Sequence, residues 1–289
     1  MKHADLHTHS THSDGTDTVE KVVETARERG IDCVAVTDHD TLHRENDERV
    51  KEAGDVELIN AAEIKCEIEG EKIEILSYFL ETSDPELQDL VEKIDRLRRD
   101  RMEEMVRKLN DEIESEVLIG DVEEKAEGPL ARPHLARVLV DKGEAGSVSE
   151  AFEKYIAEDR PAYVPTKKLK AGEVIETVHE NGGATSLAHP GRSLTRENAD
   201  RLVGKLAETG LDGIEVRYSY GALDRDHEIE INFREEKAGE LADGHDLIRT
   251  GGSDSHGTES EKDYVGNVEL PYSQVEKMKE RARSRGSEL

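Results

Sequence analysis

The chain alternates short apolar runs with longer segments in which apolar residues recur every three or four positions. Runs at 4–7, 32–37, 56–61, 73–80, 185–188, 213–216 and 246–250 read as strands. Between the first two, Val19, Val22, Val23 and Ala26 fall on one helical face. Asp17 or Thr18 stands where an N-cap belongs, and Gly30 where a helix ends. Similar periods predict helices over 173–181, 199–208 and 223–242. Strand and helix in alternation predict an α/β fold, with a parallel sheet, helices outside it and reactive groups at the carboxyl ends of strands. A closed or irregular barrel gathers such scattered ends best.

One stretch breaks the alternation. Leu87, Leu90, Val91, Ile94, Leu97, Met105 and Leu109 form one long helical stripe, and 132–140 and 148–156 read as two shorter helices. The expected organisation is therefore a barrel formed by 1–83 and 161–289, with a helical insertion at 84–160. The segment 276–289 reads as a charged helix that frays.

Charge changes this picture. The 289 residues hold 68 Asp and Glu against 40 Lys and Arg, a formal charge of −28 spread along the whole chain. Such a surface suits the cytoplasm of a halophile, because in molar salt the Debye length falls to about 3 Å and self-repulsion is screened. The same field excludes double-stranded DNA and anionic membranes as partners. No run is long and apolar enough to span a membrane, and the N-terminus lacks a signal-peptide pattern. Cys33 and Cys66 lie in apolar stretches and read as reduced core thiols, which fits a cytoplasmic protein.

The candidate chemistry begins at residue 5. In Asp5-Leu6-His7-Thr8-His9, alternate side chains share one face of a strand, and Asp14-Gly15 follows closely. Imidazoles and carboxylates converging at a strand end suit a mixed N/O metal site. Thr37-Asp38-His39-Asp40, Glu63, Ala188-His189-Pro190 and Gly252-Ser253-Asp254-Ser255-His256 offer the same donors, enough for more than one ion. Asp254 and His256 are themselves an i, i+2 pair. Arg132 and His134 are candidates for a phosphate clamp, since a forked guanidinium suits a phosphate dianion; capping or solvating a helix is the plainer alternative. Arg192 is a weaker phosphate candidate.

Taken in order, these motifs resemble the polymerase and histidinol phosphatase (PHP) family. Arg132-Pro133-His134-x-Ala136-Arg137 resembles the subgroup of nucleoside 3′,5′-bisphosphate phosphatases and 5′-to-3′ exoribonucleases. The resemblance implies an irregular (β/α)7 barrel with a trinuclear metal centre. It implies that His7, His9, Glu63 and Asp254 hold the first ion, that Glu63 bridges to a second bound also by His189, and that Asp14, His39 and His256 hold the third. Asp5, Asp38 and Asp40 are then supports behind the ligands.

Two departures stand out. Glu74 occupies the place where the family normally has a second-metal His, so it is either a carboxylate ligand or an outward charge. In Glu215-Val216-Arg217-Tyr218-Ser219-Tyr220 the Pro and His of the subgroup are missing, with His227 as a possible substitute. The expected activity is hydrolysis of nucleotide phosphate esters by a metal-activated water, with His134 or a coordinated water protonating the leaving group. Mn is the preferred ion, with Fe or Zn as alternatives. The expected partner is a phosphorylated small molecule or a short oligoribonucleotide. Histidinol phosphate is the alternative substrate, and a metal-binding accessory protein without catalysis is the alternative role. The oligomeric state is left open.

Overall fold

In the computed structural model, residues 2–42, 47–126, 129–220, 231–262 and 264–289 are described. The chain divides into two compact units, 1–91 with 169–289 and 92–168.

The first unit is built on a sheet whose main path joins seven strands before an edge strand. These are β1 (His3–Thr8), β2 (Cys33–Val36), β4 (Val56–Ile68), β5 (Glu71–Tyr78), β7 (Ala184–Leu187), β8 (Gly213–Tyr218) and β9 (Ile248–Gly252), hydrogen-bonded in that order. The far ends meet, because Asp254 N donates to His7 O at 2.8 Å and His9 N to Ser255 O at 2.8 Å. The sheet thus closes into an irregular α/β barrel. Closure demands a glycine at 252, where a Cβ would stand 2.4 Å from the His7 nitrogen. Short strands β3 (Val50–Ala53) and β6 (Leu169–Lys170) pair with β4, and β10 (Leu270–Pro271) pairs with β1.

The expectation of a wholly parallel sheet is corrected here. β5 runs antiparallel to both β4 and β7. The reversal is made by Glu69 and Gly70, at φ 53° and 90°, a two-residue turn of the kind that matches strand twist in tight hairpins. β4 also continues past its expected end at 61, because Ala62, Ile64, Cys66 and Ile68 keep alternating with charged residues. Glu63 and Glu74 therefore lie within strands, whereas strand ends were expected for all candidate ligands.

Around the sheet, α1 (Val19–Glu28) is capped by Thr18, whose hydroxyl accepts from Lys21 N. Gly30 follows it at φ 74°. Later helices are α6 (Ala171–Glu180), α7 (Pro190–Ser193), α8 (Arg196–Thr209), α9 (Glu235–Gly244) and α10 (Tyr272–Ser284). The start of the helix expected over 223–242 lies outside the described residues. α10 does not fray: Val275, Met278 and Ala282 are buried with Leu6, Ala35, Ile59 and Leu76 in the principal core. Its docking is sealed by Lys279, whose ammonium is 2.7 Å from Glu57, and by Arg285, 2.8 Å from Asp212.

The second unit takes most of α2 (Pro85–Asn110) together with α3 (Ile119–Glu123), α4 (Arg132–Asp141) and α5 (Val148–Ala151). A π-helical turn follows at Phe152–Ile156. Met102, Met105, Leu109, Leu135 and Leu139 form its own core. Among the described residues no helix is long and apolar enough to cross a membrane.

Candidate metal centre

β1 delivers His7 at its end and His9 just beyond, and both are fully buried. The loop after β9 is fixed against them by Asp5, whose carboxylate accepts from Ser253 N at 2.9 Å and Gly266 N at 2.8 Å. Asp254 then takes φ 55°, and His189, just past β7, takes φ 24°. Non-glycine residues seldom adopt such backbone, and at functional sites the surrounding structure holds them there. Asp38 accepts from Ser10 N at 2.8 Å, and Asp40 from Lys65 N at 2.7 Å. These three aspartates brace loops.

The candidate side chains converge. Asp254 Oδ1 lies 3.4 Å from His7 Nε2 and 3.1 Å from His9 Nε2. Glu63 Oε2 lies 3.4 Å and 3.5 Å from the same two nitrogens and 2.9 Å from His39 Nδ1. The other Glu63 oxygen is 3.1 Å from His189 Nε2. Glu74 reaches the same His189 nitrogen at 3.1 Å, so it points into the cluster and not to solvent. Asp14, half exposed, stands 3.6 Å from His39 Nε2 and 3.5 Å from His256 Nε2. His39 therefore belongs to two donor groups, one with Asp14, His9 and His256 and one with Glu63 and Glu74.

Hydrogen bonding fixes which ring nitrogens face inward. His256 Nδ1 donates to the Asp254 carbonyl at 2.9 Å, which leaves the Nε2 lone pair toward Asp14. His7 Nδ1 faces the buried Glu215 carboxylate at 3.2 Å, which leaves Nε2 toward Glu63 and Asp254. His7 Nε2, both nitrogens of His9, His39 Nδ1 and Glu63 Oε2 are buried with no hydrogen-bond partner among the described residues. Orphaned polar atoms of this kind are costly in a protein interior. Nitrogen and carboxylate donors converging on shared points fit divalent ions.

The electrostatics agree. Burial alone would raise the Glu63 carboxyl, yet His7, His189 and His39 hold it well below the carboxylate range. Asp254 is likewise held down, against burial, by His7 and His9. Burial opposes a proton on His189, but Glu63 and Glu74 prevail and raise it to about 9.

Three residues of the site were not anticipated. Glu215 is wholly buried; besides facing His7 it accepts from His189 N at 2.7 Å, so one carboxylate orients two imidazole-bearing residues. Its only sequence signal is a lone acid in the apolar run of β8. Tyr218 donates to Asp254 Oδ2 at 2.7 Å, and Lys262 approaches the same oxygen at 3.7 Å. Arg192 joins them: its guanidinium donates to the Tyr218 hydroxyl at 2.7 Å and lies 3.3 Å from Asp254.

Arg132 and His134 belong to the second unit, at the start of α4. There His134 Nδ1 accepts from Ala131 N at 3.2 Å and caps the helix, while burial and Arg137 lower its pKa. His227 lies outside the described residues. Cys33 and Cys66 are both buried, and Cys33 Sγ donates to Glu57 at 3.4 Å.

Residues 5–160 match the family model described as PHP domain. The 5′-3′ exoribonuclease Rnm of Escherichia coli is 31% identical over 78% of this chain and 81% of its own length. The 3′,5′-nucleoside bisphosphate phosphatase of Chromobacterium violaceum is 27% identical over 93% and 92%. A solved structure from Bifidobacterium adolescentis, described as a metal-dependent phosphoesterase, superposes with a TM-score of 0.67 at 27% identity, covering 100% of this chain and 98% of that one.

Proposed function

The chain belongs to the PHP domain family and is a phosphoric ester hydrolase, and we propose that its esters are those of nucleotides, a nucleoside 3′,5′-bisphosphate or the 5′ end of a short oligoribonucleotide. One observation carries this reading. His7 Nε2, His9 Nε2, Glu63 Oε2 and Asp254 Oδ1 form a buried, converging donor set, and cationic side chains stand directly behind Asp254. The names of the exoribonuclease and bisphosphatase relatives support the choice of ester.

We assign His7, His9, Glu63 and Asp254 to a first divalent ion, Glu63, Glu74 and His189 to a second, and Asp14, His39 and His256 to a third. Mn is preferred because Glu74 makes the donor set harder. Such ions would lower the pKa of a coordinated water toward neutrality and draw charge from the phosphoryl oxygens. The protein's own part is to hold the imidazoles through Glu215 and to place the Arg192 and Lys262 charges where phosphoryl oxygens bind. Arg132 remains a candidate phosphate ligand. His134 remains the candidate donor to the leaving oxygen, in its protonated form, which would release its cap on Ala131 N. The buried thiols and the acid-rich surface suit a salt-rich cytoplasm.

The test is phosphate release from a nucleoside 3′,5′-bisphosphate by Mn-loaded protein in molar KCl. Release is expected, with a loss of at least about a hundredfold in Asp254→Asn. A folded, metal-loaded protein that releases no phosphate, or an Asp254→Asn variant as active as wild type, overturns the assignment.

A further inference from the structure

Charge is shared unequally between the two units. Residues 92–168 hold 15 Lys and Arg against 19 Asp and Glu, whereas the rest of the chain holds 25 against 49. Within the second unit, three cations gather on one short segment. Arg101 of α2 donates Nε to the Val164 carbonyl at 2.7 Å, and its guanidinium lies 5.9 Å from the Tyr163 ring centre. Arg132, the first residue of α4, lies 5.7 Å from the same ring and 5.4 Å from that of Phe152. It spends one N–H on the Ile156 carbonyl at 3.4 Å. Lys108, about two turns along α2 from Arg101, donates to the Tyr163 carbonyl at 3.0 Å.

None of these three cations makes an ion pair among the described residues, in a chain with a large excess of acids. Among the described residues, the one carboxylate bonded to the group is Glu158, 3.5 Å from the Tyr163 hydroxyl. Burial and the nearby Arg132 charge push Arg101 below the usual guanidinium range, so the pair is held together against its own repulsion. A guanidinium carries five N–H donors, and each of these two spends one on a carbonyl. Contact with an aromatic ring constrains the guanidinium and leaves its edge donors to a planar acceptor. Cations spread along one segment beside aromatic rings are the parts from which single-stranded nucleic acid sites are made.

We propose that Arg101, Lys108 and Arg132, set around Tyr163 and Phe152, form a binding surface for the phosphate backbone of a single-stranded oligoribonucleotide. The inference rests on the reading that the ester cleaved belongs to a nucleotide, but the surface lies wholly within the second unit and needs no metal to bind.

The experiment follows fluorescence anisotropy of a labelled, 5′-phosphorylated ten-nucleotide oligouridylate titrated with metal-free protein in EDTA, between 0.1 and 0.5 M KCl. Wild type is expected to bind. Arg101→Gln and Arg132→Gln are each expected to weaken binding about fivefold to twentyfold and to flatten the salt slope by about 0.7 for each phosphate no longer engaged. Arg101→Lys keeps the charge without the fork and should fall between, which serves if Arg101→Gln melts early. Absent wild-type binding, or unchanged affinity in folded Arg101→Gln and Arg132→Gln, overturns the proposal. Phosphate release from the bisphosphate by Arg101→Gln should stay within about twofold of wild type. Oligonucleotide binding without any phosphate release would sink the bisphosphatase reading and leave this surface standing.

Discussion

The Tyr218 hydroxyl donates to Asp254 Oδ2 at 2.7 Å, and this leaves Oδ1 alone to face His7 and His9. The two oxygens of one carboxylate thus have separate duties, one in a polar brace and one in the donor set. Removing the brace should free Asp254 to rotate. Tyr218→Phe is expected to lose about 1.5–3 kcal/mol of hydrogen bonding to a charged acceptor. That should appear as a tenfold to hundredfold fall in turnover, with a melting temperature lowered by only several degrees. Unchanged turnover would show that Asp254 holds its position without Tyr218.

Glu74 offers a direct count. Its carboxylate and Glu63 share His189 Nε2 at 3.1 Å each, so Glu74→Gln should lower bound metal by about one ion per chain. Glu74→His should restore it. Elemental analysis of dialysed protein reads the result, and a full complement in Glu74→Gln would remove Glu74 from the ligand set.

Glu215 acts one step behind. Because it faces His7 Nδ1 and accepts from His189 N, Glu215→Gln should weaken metal affinity about 10–100-fold while the ligands themselves stay intact. Titration against a metal-sensitive dye measures this, and wild-type affinity would count against the orienting role.

Acid stability should depend on Asp212. Burial would raise its carboxyl, but His179 and Arg285 hold it below its ordinary value. A depressed folded pKa contributes stability that is present above the unfolded pKa and is lost as pH falls through the folded one. The melting temperature should therefore drop below about pH 4. In Asp212→Asn the melting temperature should start lower, reflecting about 3 kcal/mol of lost pairing, and fall less steeply with acid. Parallel pH curves would contradict the assignment.

The formal charge of −28 makes a broader prediction. Raising KCl from 0.1 M to 2 M should raise the melting temperature, because screening relieves repulsion among exposed carboxylates. An equal melting temperature in both would show that the acid-rich surface is not strained.

The sequence made His7, His9, His39, Asp254 and His256 legible because each sits in a short motif whose spacing alone sets side chains on one face. Glu215 and Tyr218 were not legible as site residues, since their partners lie 208 and 36 residues away and no local spacing marks them. The order of strands followed from alternation, but the direction of β5 did not. That depends on the Glu69–Gly70 turn, which short apolar runs do not reveal. Likewise the burial of α10 comes from a core assembled by distant strands, and its charged sequence concealed it.

The closure of the sheet between β1 and the loop after β9 has a consequence for how the protein is made. His9 and His256 stack with ring centres 4.3 Å apart, although nearly the whole chain separates them in sequence. Joining residues so remote carries a loop-closure cost, which the intervening strands reduce once they have paired. On the ribosome the full donor set stays incomplete until residue 256 has emerged. In the finished protein an ion held by residues from both sides acts as a clasp on that seam, so chelation should first loosen β1 from β9, and hydrogen exchange should quicken there before it does elsewhere.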